Sequence, residues 1–438
     1  MAARETALNV LLACRKEGGW SNGVLKQYLL RDKLDSREAA LATRLASGVL
    51  QNRLKLDFYL KQLLTGKLRD LHPVLRDILH LGLYQLLEMD RIPDSAAVNE
   101  AVALTKKYCP RLKHGPGLVN GVLRTAVREK DTLAQPKSWV EKYSHPQKLI
   151  DLLDGYVGHG NMEAMLRANN DSPPTVIQTN TLKTDTDSLM KTLEGEGVET
   201  DAHPWLAHCL VLRHSGNLER LESFQKGLFY VQDAAAKLSV LCAGIPETGE
   251  PKVLDCCAAP GGKSFAAAML LQGRGQITSC DIHSHKVSLM ERGAQRLGIA
   301  NMTARLRDAS EFLPEWENAM DTVICDVPCS GYGIIRKKPD IRYKDPDTMR
   351  ELPRLQQAIL RNVSRYVKPG GTLLYSTCTL VERENEAVLE RFLKTNSDFF
   401  LEKLPLPGAF PDNNGTLRLI PGQFDTDGFF IARLRRKP

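Results

Sequence analysis

Apolar residues recur at three- and four-residue spacing through the first 140 positions. They do so in Ala7, Val10, Leu11 and Cys14, in Ala39, Leu41, Leu45, Val49 and Leu50, and in Leu75, Ile78, Leu79, Leu83 and Leu86. That spacing gathers them on one helix face. Asp35-Ser36 can cap the segment that follows, Pro73 fits a first helical position, and Asp94-Ser95 can cap the segment from Ala96. No strand-like alternation of useful length intervenes, so residues 1–140 are expected to form an all-α domain of about six or seven helices. Residues 141–170 read as a helical connector. From Asp171 the pattern changes. Val176–Asn180 and Cys209–Leu212 read as strands around a helix at Ser188–Glu196, a small α+β unit over 171–225.

Residues 226–438 alternate strands and helices. Expected strands are Lys252–Cys257, Gln276–Ile282, Thr303–Arg307, Asp321–Asp326 and Thr372–Ser376, with a late pair near Leu417–Ile420 and Phe429–Leu434. Helical patterns fill Ser264–Leu271, His285–Leu297, Thr348–Tyr366 and Glu384–Lys394. The alternation predicts an α/β domain with a parallel sheet covered on both faces.

Composition adds exclusions. No run of about 18 uncharged apolar residues occurs, so no membrane span is expected. Charge appears early in MAARETALNVLLACRKEGGW, without a long apolar stretch, which argues against a leader and for a cytoplasmic protein. The ten cysteines include no CxxC pair, and reduced thiols are expected. The net charge of +7 is uneven. Residues 1–140 carry +9, residues 141–250 carry −7 and residues 251–438 carry +5. Two basic blocks around an acidic stretch suit contact with a polyanion, and equally suit solvated helix faces.

The strongest local signal is Val253-Leu254-Asp255-Cys256-Cys257-Ala258-Ala259-Pro260-Gly261-Gly262-Lys263-Ser264. A buried strand ends, a small-residue turn follows and a helix begins, the arrangement that brings a ligand against backbone N–H groups. The segment fits neither GxGxxG nor GxxxxGK[ST], which disfavours a phosphate loop. Asp281 and Asp308 end the next two strands, where doubly wound sheets place ligands. Asp281 could accept bonds from ribose hydroxyls and Asp308 could read an adenine amino group.

Asp326-Val327-Pro328-Cys329 follows the fourth strand and Ser376-Thr377-Cys378-Thr379 ends the fifth. Adjacent strands would bring the two thiols to one rim. A lone cysteine is most often a small buried hydrophobe. A soft thiolate here suits attack on an electron-poor carbon such as C6 of a pyrimidine, and the Asp326 carboxyl could hydrogen-bond N3 and the amino group of the base. Zinc is the rival reading, but the ligand spacing and histidine pairs are missing, so no metal is expected.

At these residues the chain resembles a known family. DCCAAPGGKS, DVPCSGYGIIRKKPDIR and YSTCTL are similar to the motifs of S-adenosylmethionine-dependent RNA cytosine-C5 methyltransferases, as are Glu384-Asn385-Glu386 and Asp427-Gly428-Phe429-Phe430. ALNVLLACRKEGGW, Leu83–Leu87, Arg91-Ile92-Pro93 and Leu118–Arg124 resemble the NusB-like domain. The combination is that of the bacterial RsmB enzymes, also called Sun or Fmu, which methylate C5 of a cytosine in small-subunit (16S) ribosomal RNA.

The resemblance implies an all-α NusB-like RNA-binding domain (1–140), the connector (141–170), a small RNA-binding α+β unit (171–225) and a Rossmann-like class I methyltransferase domain (226–438). It implies that Cys257, Ala258, Ala259, Pro260, Gly261, Gly262 and Lys263 line S-adenosylmethionine, with Asp281 on the ribose, Asp308 near the adenine and Asp326 touching cofactor and base. It makes Cys378 the nucleophile and Cys329 the thiol that assists elimination. Spacing alone leaves the choice between the two cysteines open. Val327, Thr379 and Cys256 depart from the usual pattern without removing a reacting group. Small-subunit ribosomal RNA is the expected partner and a monomer the expected state. The basic cluster Arg336, Lys337, Lys338 and Arg342 is expected to hold RNA phosphates. Transfer RNA as substrate, a non-catalytic RNA-binding or antitermination factor, and a nicotinamide dehydrogenase are the alternatives, the last weakened by the missing GxGxxG.

Overall fold

A computed structural model describes residues 2–17, 21–213, 215–408 and 410–438; Gly18, Gly19 and Trp20 of the first NusB-like motif lie outside them. The chain divides into two compact units, one made of residues 1–171 with Ile335–Pro346, the other of Ser172–Ile334 with Asp347–Pro438.

The first unit is helical. Its helices are α1 (Ala2–Glu17), α2 (Ser21–Asp32), α3 (Ser36–Leu63), α4 (Pro73–Glu88), α5 (Asp94–Tyr108), α6 (Gly115–Glu129), α7 (Trp139–Lys142), α8 (Gln147–Val157) and α9 (His159–Ala168). Asp35 caps α3 by accepting a hydrogen bond from the Glu38 amide, as its position in the sequence predicts. Pro73 opens α4. Asp94 and Ser95 fall inside α5 rather than before it; Pro93 takes the cap position and offers no side-chain bond. The periodic residues Ala7, Leu45, Ile78, Leu79 and Leu83 are fully buried in one core, together with Leu56, Leu60 and Leu123.

Ile335–Pro346 packs as part of this helical unit. Its Arg342 is fully buried. The guanidinium donates to the carbonyls of Gln51 (3.0 Å), Tyr143 (3.3 Å) and Asn169 (3.2 Å) and to Oδ1 of Asn170 (2.8 Å). Burial lowers its pKa to about 10. The expectation that Arg342 holds an RNA phosphate is therefore corrected: the guanidinium is buried in a core with its terminal nitrogens on four protein oxygens, out of reach of a ligand. Arg336 is buried as well, whereas Lys337 and Lys338 are half-buried.

The second unit carries two sheets. β1 (Thr175–Thr179), α10 (Thr186–Gly195), β2 (Glu199–Ala202), β3 (Cys209–Arg213), α11 (Glu222–Gln225) and β4 (Phe229–Val231) form the small α+β part, with antiparallel strand order β2-β3-β1-β4. β2 and β4 are additional to the two expected strands. They are short, and β2 alternates too little to show in the sequence. α12 (Ala234–Leu241) leads into the large sheet. There follow β5 (Lys252–Asp255), α13 (Gly262–Leu271), β6 (Gln276–Asp281), α14 (Ser284–Leu297), β7 (Met302–Leu306), β8 (Met320–Asp326), α15 (Leu352–Ser364), β9 (Val367–Thr377), α16 (Glu386–Thr395), β10 (Phe399–Leu401), β11 (Thr416–Leu419) and β12 (Phe429–Arg436).

The large sheet runs β10-β12-β9-β8-β5-β6-β7, with β11 on β12. β5 to β9 are parallel, as expected; β10, β11 and β12 add an antiparallel end that makes the sheet mixed. Val253, Ile324 and Leu374 pack in one core with α13, while Leu254, Val323 and Leu373 pack in another with α15 and α16. Burial on both faces explains the near-continuous apolar runs of β5 and β8. The strand order reverses between β5 and β8, which is where such sheets open a crevice at their carboxyl ends.

Two outcomes follow from buried polar groups. Replacing Arg342 by Met leaves four oxygens without their donor, and is expected to cost about 3 kcal/mol or more. Hydrogen-exchange mass spectrometry of the full chain should show faster exchange in α3 and in 139–170. Asp255 is fully buried and accepts a bond from Ser264 Oγ (2.8 Å), itself bonded to Ser279 Oγ (2.7 Å). Burial raises its pKa to about 7. The folded chain thus keeps a proton that the unfolded chain loses near pH 4, so this group makes stability fall as pH rises from 4 to 7. Asp255→Asn should flatten that part of the profile and stabilise the protein at pH 8 by roughly 2 kcal/mol, read from denaturant midpoints.

Candidate functional site

The expected cofactor loop leaves β5 and enters α13. Ala258 N donates to Cys280 O (2.7 Å) and Gly261 N to Ala258 O (2.8 Å), which pins the turn against β6. Gly261 has φ 108°, and a Cβ there would lie 2.6 Å from the Phe265 ring. Only glycine fits that corner. The turn delivers the first amides of α13, which have no acceptor within the helix, to the crevice. Cys257 and Ala259 are half-buried, Ala258 is buried and Pro260 is exposed.

Asp281 ends β6 and Asp308 follows β7, on neighbouring strands joined by Arg307 N to Asp281 O (3.1 Å). Asp281 Oδ1 accepts from the His283 amide (3.0 Å), and Oδ2 lies 3.5 Å from Lys286 Nζ. Asp308 Oδ1 accepts from the Ser310 amide and hydroxyl. Both carboxylates are thus held by their own turns at the rim where the sequence places them.

Lys263, the second residue of α13, reaches across to Asp326 at the end of β8, with Nζ 2.6 Å from Oδ2. Burial works against the ammonium, but Asp326 and then Asp255 outweigh it and the pKa rises. The cation is held. Asp326 Oδ1 accepts from Ser376 Oγ (2.8 Å). Asp326 and Ser376 are register partners on parallel strands, so their side chains share a face. Ser376 is a site residue that motif reading passes over; the parallel register is the signal that finds it.

Cys329 and Cys378 meet with 3.3 Å between sulfurs, both half-buried. Cys329 is pushed well above the usual thiol range by the neighbouring sulfur first, then by burial, then by the charges of Cys378, Glu384 and Asp326. It keeps its proton and can donate to Cys378. Cys256, Cys280 and Cys325 belong to the core, as small buried hydrophobes do.

The loops beside the thiols are knitted together. Gly333 N donates to Cys378 O (2.9 Å) and Gly428 N to Gly333 O (2.8 Å). A Cβ on Gly333 would lie 2.0 Å from Gly428 O, so this crossing admits no side chain. The structure therefore brings Lys263, Asp326, Cys329 and Cys378 to one place, next to the cofactor loop. Among the described residues, no group of three or more His, Cys, Asp or Glu is arranged to hold a metal.

Three family models match. Residues 1–128 match the NusB family, residues 145–219 the RsmF/B-like methyltransferase ferredoxin-like domain, and residues 245–435 the 16S rRNA methyltransferase RsmB/F. The probable ribosomal RNA small subunit methyltransferase B of Bacillus subtilis (strain 168) is 35% identical, over 100% of this chain and 99% of its own length. The protein of the same description from Synechocystis sp. is 34% identical over all of both chains. The crystal structure of PH0851 superposes with a TM-score of 0.81 at 25% identity, covering 99% of this chain and 98% of that one. By that identity across its full length, the chain belongs to the ribosomal RNA small subunit methyltransferase B family.

Proposed function

We propose that the protein transfers a methyl group from S-adenosylmethionine to C5 of a cytosine in small-subunit ribosomal RNA, through a covalent bond between Cys378 and C6. The observation that carries this reading is the pair of thiols 3.3 Å apart beside the Lys263–Asp326 ion pair.

The residues present fit the methyl donor. The α13 amides suit its carboxylate, Asp281 suits ribose hydroxyls, and Asp308 is placed for the adenine amino group. Cys257 to Lys263 line the turn and would hold the donor, and Asp326 would contact both donor and base. When bound, S-adenosylmethionine supplies an electrophilic methyl carbon on a sulfonium.

The chain's own groups do the rest. An unpaired or flipped cytosine enters, because its reacting atoms are covered in a stacked helix. Cys378 sulfur, giving up its proton, bonds to C6, and the displaced electron pair moves to N3, which holds a proton until C5 has reacted; the Asp326 carboxyl accepts hydrogen bonds from that N3–H and from the amino group. C5 becomes a carbon nucleophile and bonds the methyl carbon as the sulfonium bond breaks. A base then takes the C5 proton, C5=C6 re-forms and the Cys378–C6 bond breaks. Cys329, held protonated 3.3 Å away, assists that departure. Lys263 keeps the Asp326 carboxyl aimed.

The +9 of the first 140 residues supplies a contact for the RNA backbone. Lys106 at the end of α5, Arg111 and Lys113 in the turn that follows, and Arg124 and Arg128 on α6 are exposed with no acidic residue between them in sequence. A cluster of that sign attracts phosphates and releases counterions.

Four outcomes test the reading. Cys378→Ala should abolish methyl transfer to the RNA. Cys329→Ala should accumulate a protein–RNA adduct that survives denaturing electrophoresis; the reverse pattern would transfer the nucleophile's role to Cys329. Asp326→Ala should lower methyl transfer about 10²-fold or more while the protein still melts cooperatively. Arg111→Glu with Arg124→Glu should weaken RNA binding and lower the slope of log affinity against log salt by about 1–2. An unchanged slope would mean that this surface is only solvated.

A further inference from the structure

Two consecutive residues, Glu384 and Asn385, are fully buried between β9 and α16 and face one thiol loop each. Glu384 Oε2 accepts from the Ser330 amide (2.9 Å) and from Gln356 Nε2 (3.0 Å). That same Gln356 Nε2, on α15 and fully buried, also donates to Pro328 O (2.9 Å). The residues on either side of Cys329 are therefore tied to Glu384, one directly and one through Gln356. Asn385 does the equivalent for Cys378. Its Oδ1 accepts from Thr377 Oγ1 (2.6 Å) and its Nδ2 donates to Thr379 O (3.1 Å). Tyr375 OH donates to Glu384 O (2.5 Å) and so fixes the pair to β9. Beside the two sulfurs, Ser330 Oγ and Thr379 Oγ1 also meet across the loops, at 2.7 Å.

A carboxylate in such a place is costly. Ionised, it must be compensated by donors, and an apolar residue of similar volume would pack more cheaply. Both donors that Glu384 has belong to the Cys329 loop or to the side chain that braces it. The arrangement makes sense where sulfur placement matters more than stability, because a displacement of about 1 Å at a reacting group can cost 10²-fold in rate.

We propose that Glu384 and Asn385 are positioning residues that set the two thiols separately, Glu384 placing Cys329 for release and Asn385 placing Cys378 for attack. This rests on the roles given to the two thiols above. It predicts that neighbouring substitutions slow different steps of one reaction, which a purely structural role would not do.

The experiment uses the full chain, S-adenosylmethionine and a labelled small-subunit ribosomal RNA transcript. Glu384→Ala removes the single oxygen, Oε2, on which both donors converge. It should raise the steady-state protein–RNA adduct at least fivefold while turnover falls about tenfold. Asn385→Ala should leave no excess adduct. Placed in the Cys329→Ala background, where adduct is trapped, it should slow adduct formation about tenfold. Binding of S-adenosylhomocysteine by calorimetry should stay within twofold of the parent in both.

If either variant fails to melt cooperatively, Gln356→Leu and Thr377→Val decide. The first loses the tie to Pro328 and should raise adduct; the second loses a tie of Cys378 and should slow its formation. Equal effects of both substitutions on both steps, or no effect, would overturn the proposal. Adduct formation by Cys378→Ala would instead overturn the thiol assignment, whatever the Glu384 and Asn385 variants do.

Discussion

The parallel register of β8 and β9 is the constraint on which the site depends. It sets Asp326 beside Ser376, and so fixes which residues follow at the rim: Pro328-Cys329 from one strand, Thr377-Cys378 from the next. Two loops leaving adjacent parallel strands at the same level bring their third and second residues together without any help from sequence proximity. The sulfurs meet although 49 positions separate them. β5, on the other side of β8, delivers the cofactor loop at the same edge, so Lys263 can cross to Asp326. A slip of one residue between β8 and β9 would turn Asp326 and Ser376 to opposite faces and scatter the group.

The electrostatic design is economical. One cation, Lys263, is held among carboxylates and thiols in a largely buried place, where charge interactions are weakly screened. It fixes the Asp326 carboxyl next to the crevice. Glu384 and Asp326 both discourage ionisation of Cys329, and the neighbouring sulfur does so most.

Much of this was legible in residue order. The helical period of the first 140 residues, the apolar runs of β5 and β8, and the small-residue turn at Ala258–Gly262 all report local requirements, and each corresponds to an element of the fold. The cysteine pairing was legible because strand ends in a parallel sheet share one rim. What escaped depends on distant partners. β2 and β4 are defined by pairing with β3 and β1, and their own composition says little. Ser376, Gln356 and Gly333 carry no unusual chemistry of their own. Arg342 misled because a basic residue within a basic cluster reads as surface, and nothing local announces that Gln51, Tyr143 and Asn169 supply the oxygens that make burial tolerable.

That buried arginine has a consequence in time. The helical unit is discontinuous in sequence, closed by a segment that lies about 160 residues beyond its main stretch. A ribosome adding roughly 5–20 residues per second makes that segment some 10–30 s later. Until then, the carbonyls that Arg342 will occupy must be served by water, and the nascent helices cannot complete their interior. The last part of the helical unit to arrive is translated directly after the Cys329 loop. Final closure of the older unit therefore waits on synthesis of half the rim that carries the paired thiols.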